Sequence, residues 1–116
     1  MPRTAPAAAL LLTCIAAQAE GLDTPQLRLQ PLPPGHAELE LCFPDLGGPL
    51  RFELEVDSSG PAGTTRSHQR GDLPAGQPGC PLHNRLSAAP GTRIDALLHW
   101  WVGDAAPQAL STSLDL

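Results

Sequence analysis

The chain has 116 residues, with seven basic and twelve acidic ones, and its formal net charge is −5 at pH 7. This length indicates one domain, and an acidic chain with scattered arginines is a poor candidate for a nucleic-acid-binding protein. Tyrosine is absent and there are two tryptophans and two phenylalanines, so the core has to consist mainly of Leu, Ile, Val and Ala.

The first 19 residues have the pattern of a secretory signal peptide. A short positive start with Arg3 precedes an apolar run over residues 5–17, and residues 17–19 (Ala-Gln-Ala) form a small-x-small cleavage site. A retained anchor and lipidation of Cys14 are the alternatives, but the run is short for a membrane span. The sequence therefore predicts a signal peptide at 1–19 and one mature domain at 20–116. That domain has six arginines and twelve acidic residues, hence a formal charge of −6.

Three strands are predicted in the first half of the mature domain. Residues 27–30 form a short first strand, which prolines place at a sheet edge. Residues 36–43 form the second strand, and residues 50–57 form the third, in which apolar and charged residues alternate without exception. Because successive side chains of a strand point to opposite faces, this alternation predicts a sheet with one core face and one solvent face. We expect the second and third strands to form a hairpin across the turn-rich residues 44–49.

The second half is predicted to add four strands. Residues 64–69, between a turn at 57–63 and the turn-rich residues 71–79, lack large apolar side chains and predict a polar edge strand or an ordered loop. Residues 80–87 form a fifth strand, in which Pro81 limits hydrogen bonding at the start. The longest apolar run, 92–102, is the sixth strand, although a helix over 93–101 competes with it. Its parity buries Trp100 and leaves Leu97 and Trp101 outside, with Trp101 substantially exposed. Residues 109–116 form the last strand.

Seven short strands separated by regular turn signals predict an all-β fold, a seven-stranded immunoglobulin/fibronectin-like β-sandwich. In such a sandwich the second and fifth strands are antiparallel neighbours, which brings Cys42 close to Cys80. An exported chain folds under oxidising conditions, so we predict a disulfide between them. Cys42 has outward parity and Cys80 inward parity, so the bridge requires a bulge or break at Pro81. Two free thiols are the alternative.

The sequence contains no motif for a catalytic nucleophile, a supported carboxylate pair or a phosphate-binding loop. The four histidines are too widely spaced to suggest a metal site. We therefore expect a binding protein without catalytic activity, cofactor or metal. A thiol-disulfide oxidoreductase that uses the two cysteines is a weaker alternative, since redox motifs place their cysteines close in sequence.

The polar edge over residues 64–70 is a candidate surface for binding a partner. Arg66 and Arg70 are the first candidate contacts there, and Trp101 is the second, as an exposed aromatic residue. Edge strands are templates for adding another strand. The alternative is that charge and polarity at this edge serve to prevent pairing.

Several short motifs occur in a familiar order. They are Ser58-Ser59-Gly60, the run Leu73-Pro74-Ala75-Gly76-Gln77-Pro78, Pro90-x-x-Arg93, Gly103-Asp104 and Leu110-Ser111. Over residues 50–114 this order resembles the curli assembly proteins of the CsgC/CsgH type.

The resemblance implies a periplasmic, immunoglobulin-like chaperone that keeps the curli amyloid subunit from polymerising before export. The implied partner is the unfolded or amyloid-prone subunit, with no cofactor, no nucleic acid and no stable membrane insertion, and the protein is expected to be a monomer. Some members have a Cys-x-Cys pair at the start of a strand. In this sequence Arg51 and Glu53 lie near the comparable position, so a redox role does not carry over. A different non-catalytic binding module of the cell envelope is the alternative.

Overall fold

A computed structural model describes residues 24–116, so the predicted signal peptide and Cys14 lie outside the described residues. This part of the chain contains seven strands. They are β1 (Gln26–Leu32), β2 (His36–Phe43), β3 (Leu50–Gly60), β4 (Gly63–Leu73), β5 (Gly79–Ser87), β6 (Arg93–Val102) and β7 (Gln108–Asp115). They form two antiparallel sheets, ordered β1-β2-β5 and β4-β3-β6-β7. The predicted all-β fold with seven strands is confirmed. Residues 24–116 contain no helix that is long and apolar enough to cross a membrane.

One hydrophobic core joins the two sheets, and three strands supply most of it by strict alternation. The buried members are Ala37, Leu39, Leu41 and Phe43 of β2, Leu50, Phe52, Leu54 and Val56 of β3, and Ile94, Ala96, Leu98 and Trp100 of β6. Each of these side chains is at most 7% exposed. The predicted parity of all three strands, including the burial of Trp100, is therefore confirmed.

The predicted hairpin between β2 and β3 is wrong. β2 pairs with β1 and β5, whereas β3 pairs with β4 and β6, so residues 44–49 cross from one sheet to the other. Each of the two strands has a continuous apolar face that needs a cover. Placing them in different sheets lets these faces meet across the core, where the rings of Phe43 and Phe52 lie 5.5 Å apart.

Strands β3 and β4 are longer than the sequence predicted. The expected turn at 57–63 is reduced to Pro61 and Ala62, because Ser58 pairs with Thr65 and their hydroxyls are hydrogen-bonded at 2.6 Å. β4 also continues through Gly71, which lies opposite Phe52. A Cβ atom on Gly71 would be 2.5 Å from Cζ of that ring. This glycine therefore reflects close packing rather than the turn that its residue type suggested.

The two open sides of the sheet pair are closed differently. On one side β1 and β7 are in contact, and partly buried leucines pack against the core there. These are Leu27, Leu29, Leu110 and Leu114. On the other side Nδ2 of Asn84 in β5 donates a hydrogen bond to Oε1 of Gln69 in β4 at 3.2 Å. The β4–β5 side thus combines this polar contact with the partly buried Leu73, Leu82 and Leu86, whereas the β1–β7 side is lined by leucines.

Cys42 and Cys80 form a disulfide that joins β2 to β5, with their Cα atoms 3.9 Å apart. The pairing register shifts between Leu41 and Phe43, so Cys80 and Pro81 together lie opposite Cys42. This bulge reconciles the opposite parities of the two cysteines. The predicted bridge and the irregularity at Pro81 are both confirmed, and a disulfide is characteristic of proteins that fold in an oxidising compartment.

Candidate partner-binding surface

The solvent face of the four-stranded sheet contains all three residues predicted to contact a partner. Arg66 and Arg70 lie on β4, and Trp101 lies two strands away on β6. Arg70 and Trp101 line one shallow groove of about 300 Å³, whose other polar side chains come from Arg51, Glu53 and Asp72. Arg66 lies further along β4, so the structure brings two of the three predicted residues together.

Carboxylates of β3 hold both arginines of β4. Nε of Arg66 donates to Oδ1 of Asp57 at 2.8 Å, and it lies 3.6 Å from Oε1 of Glu55. The hydrogen bond to Asp57, and next the charges of Asp57 and Glu55, raise the pKa of Arg66 above its ordinary value. Nε of Arg70 lies 3.7 Å from Oε1 of Glu53. The predicted arginines are therefore balanced by acids, and they do not form an isolated basic strip.

Both arginines remain accessible despite these ion pairs, since each side chain is 73% exposed. Exposed ion pairs of this kind are easily rearranged, because each contributes little free energy. Both guanidinium groups contact the acids of β3 through Nε, and within residues 24–116 their terminal Nη nitrogens donate no hydrogen bond. A partner carboxylate can use these nitrogens without displacing the acids of β3.

The far end of the same face has a tighter polar network. Oδ1 of Asp95 accepts a hydrogen bond from the Ser113 hydroxyl at 2.6 Å, and Arg93 contacts both Asp95 and Asp115. The Ser113 hydrogen bond, followed by that of Arg93, lowers the pKa of Asp95 below its ordinary value. This network joins β6 to β7. The guanidinium group of Arg93 is therefore already paired with carboxylates of its own sheet.

Apolar side chains on the solvent face lie along β6. Leu97 is 40% exposed and was placed outside by parity, but it was not identified as a candidate contact. Trp101 points to the same face and is only half-buried rather than substantially exposed, so its predicted exposure is wrong in degree. Its ring lines a second groove of about 490 Å³ near Pro49, Arg51 and Asp72, at the end of the sheet. The parity of a single strand predicts which way a side chain points. It does not predict how far residues of neighbouring strands cover that side chain.

β4 is the end strand of its sheet, as the prediction of a polar edge required. Its sequence from Gly63 to Leu73 contains no proline, and its pairing with β3 runs without a register shift. An edge strand leaves one row of backbone N–H and C=O groups unpaired. Residues 24–116 contain no group of three or more His, Cys, Asp or Glu side chains arranged to hold a metal ion. This surface offers a partner backbone pairing and charge recognition.

No family model and no curated protein matches the chain. Among solved structures, the solution structure of R. palustris CsgH is 24% identical with a TM-score of 0.56, and the match covers 79% of this chain and 90% of CsgH. The E. coli curli protein CsgC is 17% identical with a TM-score of 0.58, and the match covers 78% of this chain and 95% of CsgC. The resemblance predicted from the motifs is thus matched by structure, and this chain is similar in fold to CsgH and CsgC over nearly their whole lengths.

Proposed function

We propose that this protein is a periplasmic chaperone that binds curli amyloid subunits and inhibits their premature polymerisation during curli assembly. The likeness in fold to the E. coli curli protein CsgC is the observation that carries this proposal. The Cys42–Cys80 disulfide supports an oxidising compartment such as the periplasm. In this proposal the protein acts as a monomer, without a cofactor and without inserting into the membrane.

The free edge of β4 offers a mechanism for such inhibition. Amyloid fibrils grow when identical segments pair edge to edge as strands of a cross-β stack. β4 presents an unpaired backbone edge that is 11 residues long, and an extended segment binds such an edge by main-chain hydrogen bonds. A subunit segment paired with β4 has one of its own edges occupied, so it is withheld from fibril growth. No bond is made or broken in the bound chain.

We also infer that the two sheets form an immunoglobulin/fibronectin-like sandwich. The shared core and the neighbours β1-β2-β5 and β3-β6-β7 support this, since they correspond to the A-B-E and C-F-G neighbours of that architecture. β4 lies beside β3 instead of β5, which departs from the constant-type immunoglobulin order. This departure places β4 on the sheet that also contains Trp101.

A polymerisation assay tests the proposed function. The protein obtained by export and processing of the 116-residue chain is added below equimolar ratio to a purified curli subunit, and fibril growth is followed with an amyloid dye. We expect a longer lag, and a shorter extension of that lag with the double variant Arg66→Gln/Arg70→Gln. An unchanged lag with the wild-type protein would refute the proposal.

The matched control is Arg28→Gln/Arg85→Gln, which removes the same charge from the strands of the other sheet. Glutamine is preferable to glutamate at the two tested positions. Glutamate at 66 and 70 would face Asp57 and Glu53 in the pairing register and place like charges directly opposite each other. Loss of inhibition in both double variants would point to net charge rather than to β4.

A further inference from the structure

β4 is the least obstructed of the strands that end the two sheets. β1 contains Pro31, which removes one backbone donor, and β5 contains Pro81 together with the bulge at the disulfide. β7 is free of proline but has eight residues against the 11 of β4. β4 also lies on the side of the sheet pair that has the Gln69–Asn84 hydrogen bond, away from the leucines that close the β1–β7 side. A continuous added strand is therefore accommodated best along β4.

The charges along this edge have a fixed spacing. Arg66 and Arg70 are four residues apart and lie on the same face, with His68 between them. A strand paired with β4 in regular register places two of its own residues opposite these arginines, and those two residues are also four positions apart. Carboxylates at those two positions meet the terminal nitrogens of Arg66 and Arg70, which donate no hydrogen bond within the described chain.

The other face of β4 restricts the intervening positions of a partner. Thr65, Ser67 and Gln69 lie on this face, and Gln69 is already hydrogen-bonded to Asn84 of β5. These side chains offer hydroxyl and amide groups and, apart from the Thr65 methyl group, no apolar surface to cover. Small polar residues on this side of the added strand leave the Gln69–Asn84 bond in place, whereas large apolar residues would desolvate it without a compensating contact.

A second copy of this chain fits the same edge poorly. If two β4 strands pair antiparallel in the fully overlapping register, Arg66 of each copy lies opposite Arg70 of the other. Like charges placed directly opposite each other destabilise a strand pair. The spacing that attracts two carboxylates therefore disfavours this self-pairing.

We infer that the free edge of β4 selects an extended segment with two carboxylates four residues apart on one face and small polar residues on the other. This inference rests on the proposed function, because it specifies which part of an amyloid-prone chain is bound. Net acidity alone does not satisfy the requirement, since two acids three residues apart point to opposite faces of a strand.

Two nine-residue peptides with blocked ends and identical composition test this selection. Both have a Ser/Thr/Asn background and two aspartates, at positions 3 and 7 in the first and at positions 3 and 6 in the second. Each is titrated into ¹⁵N-labelled protein obtained by export and processing of the 116-residue chain, and backbone amide shifts report the site and the affinity. We expect the first peptide to bind up to about fivefold more tightly than the second, with shifts concentrated in β4, because it makes one more exposed charge contact.

The variants and outcomes are chosen to separate this inference from the proposed function. Arg66→Gln/Arg70→Gln should abolish the discrimination between the peptides, whereas Arg28→Gln/Arg85→Gln should retain it. Equal affinities, shifts outside β4, or a peptide-free dimer that perturbs β4 would overturn the inference. If the protein still lengthens the polymerisation lag in that case, the proposed function stands without it. If the peptides are discriminated but polymerisation is unaffected, the edge specificity stands and the chaperone role fails.

Discussion

Replacing Gly71 by alanine should destabilise the fold, although alanine normally suits a strand better than glycine does. The added Cβ would lie 2.5 Å from Cζ and 2.7 Å from Cε2 of Phe52. Phe52 is 1% exposed and belongs to the centre of the core, so its ring has no free volume into which to move. Overpacking of this kind typically costs about 1–3 kcal/mol. We expect a loss of this size in the free energy of unfolding, measured by urea denaturation with tryptophan fluorescence.

Gly79 provides the matched control for this substitution. It also lies in a strand, has no positive φ, and a Cβ there meets no atom within 4 Å. Gly79→Ala should therefore be neutral or stabilising by about 0.5–1 kcal/mol, from reduced chain entropy. Adding Phe52→Leu should lessen the cost of Gly71→Ala, and a double-mutant cycle measures that coupling. Equal stability of Gly71→Ala and Gly79→Ala would refute the packing argument.

Three further predictions concern stability. Replacing Cys42 and Cys80 together by alanine should lower the free energy of unfolding in urea by up to about 4 kcal/mol, since the bridge closes a loop with a sequence separation of 38. Trp100→Ala should cost about 3–5 kcal/mol, and Trp101→Ala clearly less, because the first indole is in the core and the second borders a groove. Ser113→Ala should destabilise the folded protein at neutral pH, because it removes the hydrogen bond that lowers the pKa of Asp95. This effect of the substitution should disappear when the solution is acidified. That stabilisation is complete above the aspartate's ordinary pKa of 3.8 and disappears as the pH falls through the lower folded value, so urea midpoints of variant and wild type should converge there.

Side-chain alternation was sufficient to predict the strands that form the core. In β2, in β6 and in residues 50–57 of β3, every inward residue is apolar. Because a strand has only two faces, burial follows directly from parity there. The same reasoning correctly placed Trp100 inside. It was less accurate for Trp101, because the exposure of an outward side chain depends on neighbouring strands such as the one that contributes Arg51.

Strand partners were harder to predict than strands. Nothing in residues 44–49 distinguishes a hairpin from a crossing between sheets, because both need a turn between two apolar faces. The ion pairs of the candidate site depend on the same missing information. Arg66 and Asp57 are nine positions apart, and their contact follows from the β3–β4 register, which the sequence pattern leaves open. Gly71 misled the prediction of the end of β4 for a related reason, since its role is defined by Phe52 on the neighbouring strand.

β4 contributes none of the buried hydrophobic residues of the described core, although it is one of the two longest strands. Local opening of β4 would therefore break its hydrogen bonds to β3 while leaving most of the core covered on the remaining strands. We expect its backbone amides to exchange with solvent faster than those of β3 and β6, by a sub-global opening with a lower free energy than complete unfolding. Such energetic independence separates the proposed partner-binding surface from the residues that specify the fold. Substitutions can then accumulate along β4, apart from Gly71, without threatening the rest of the domain.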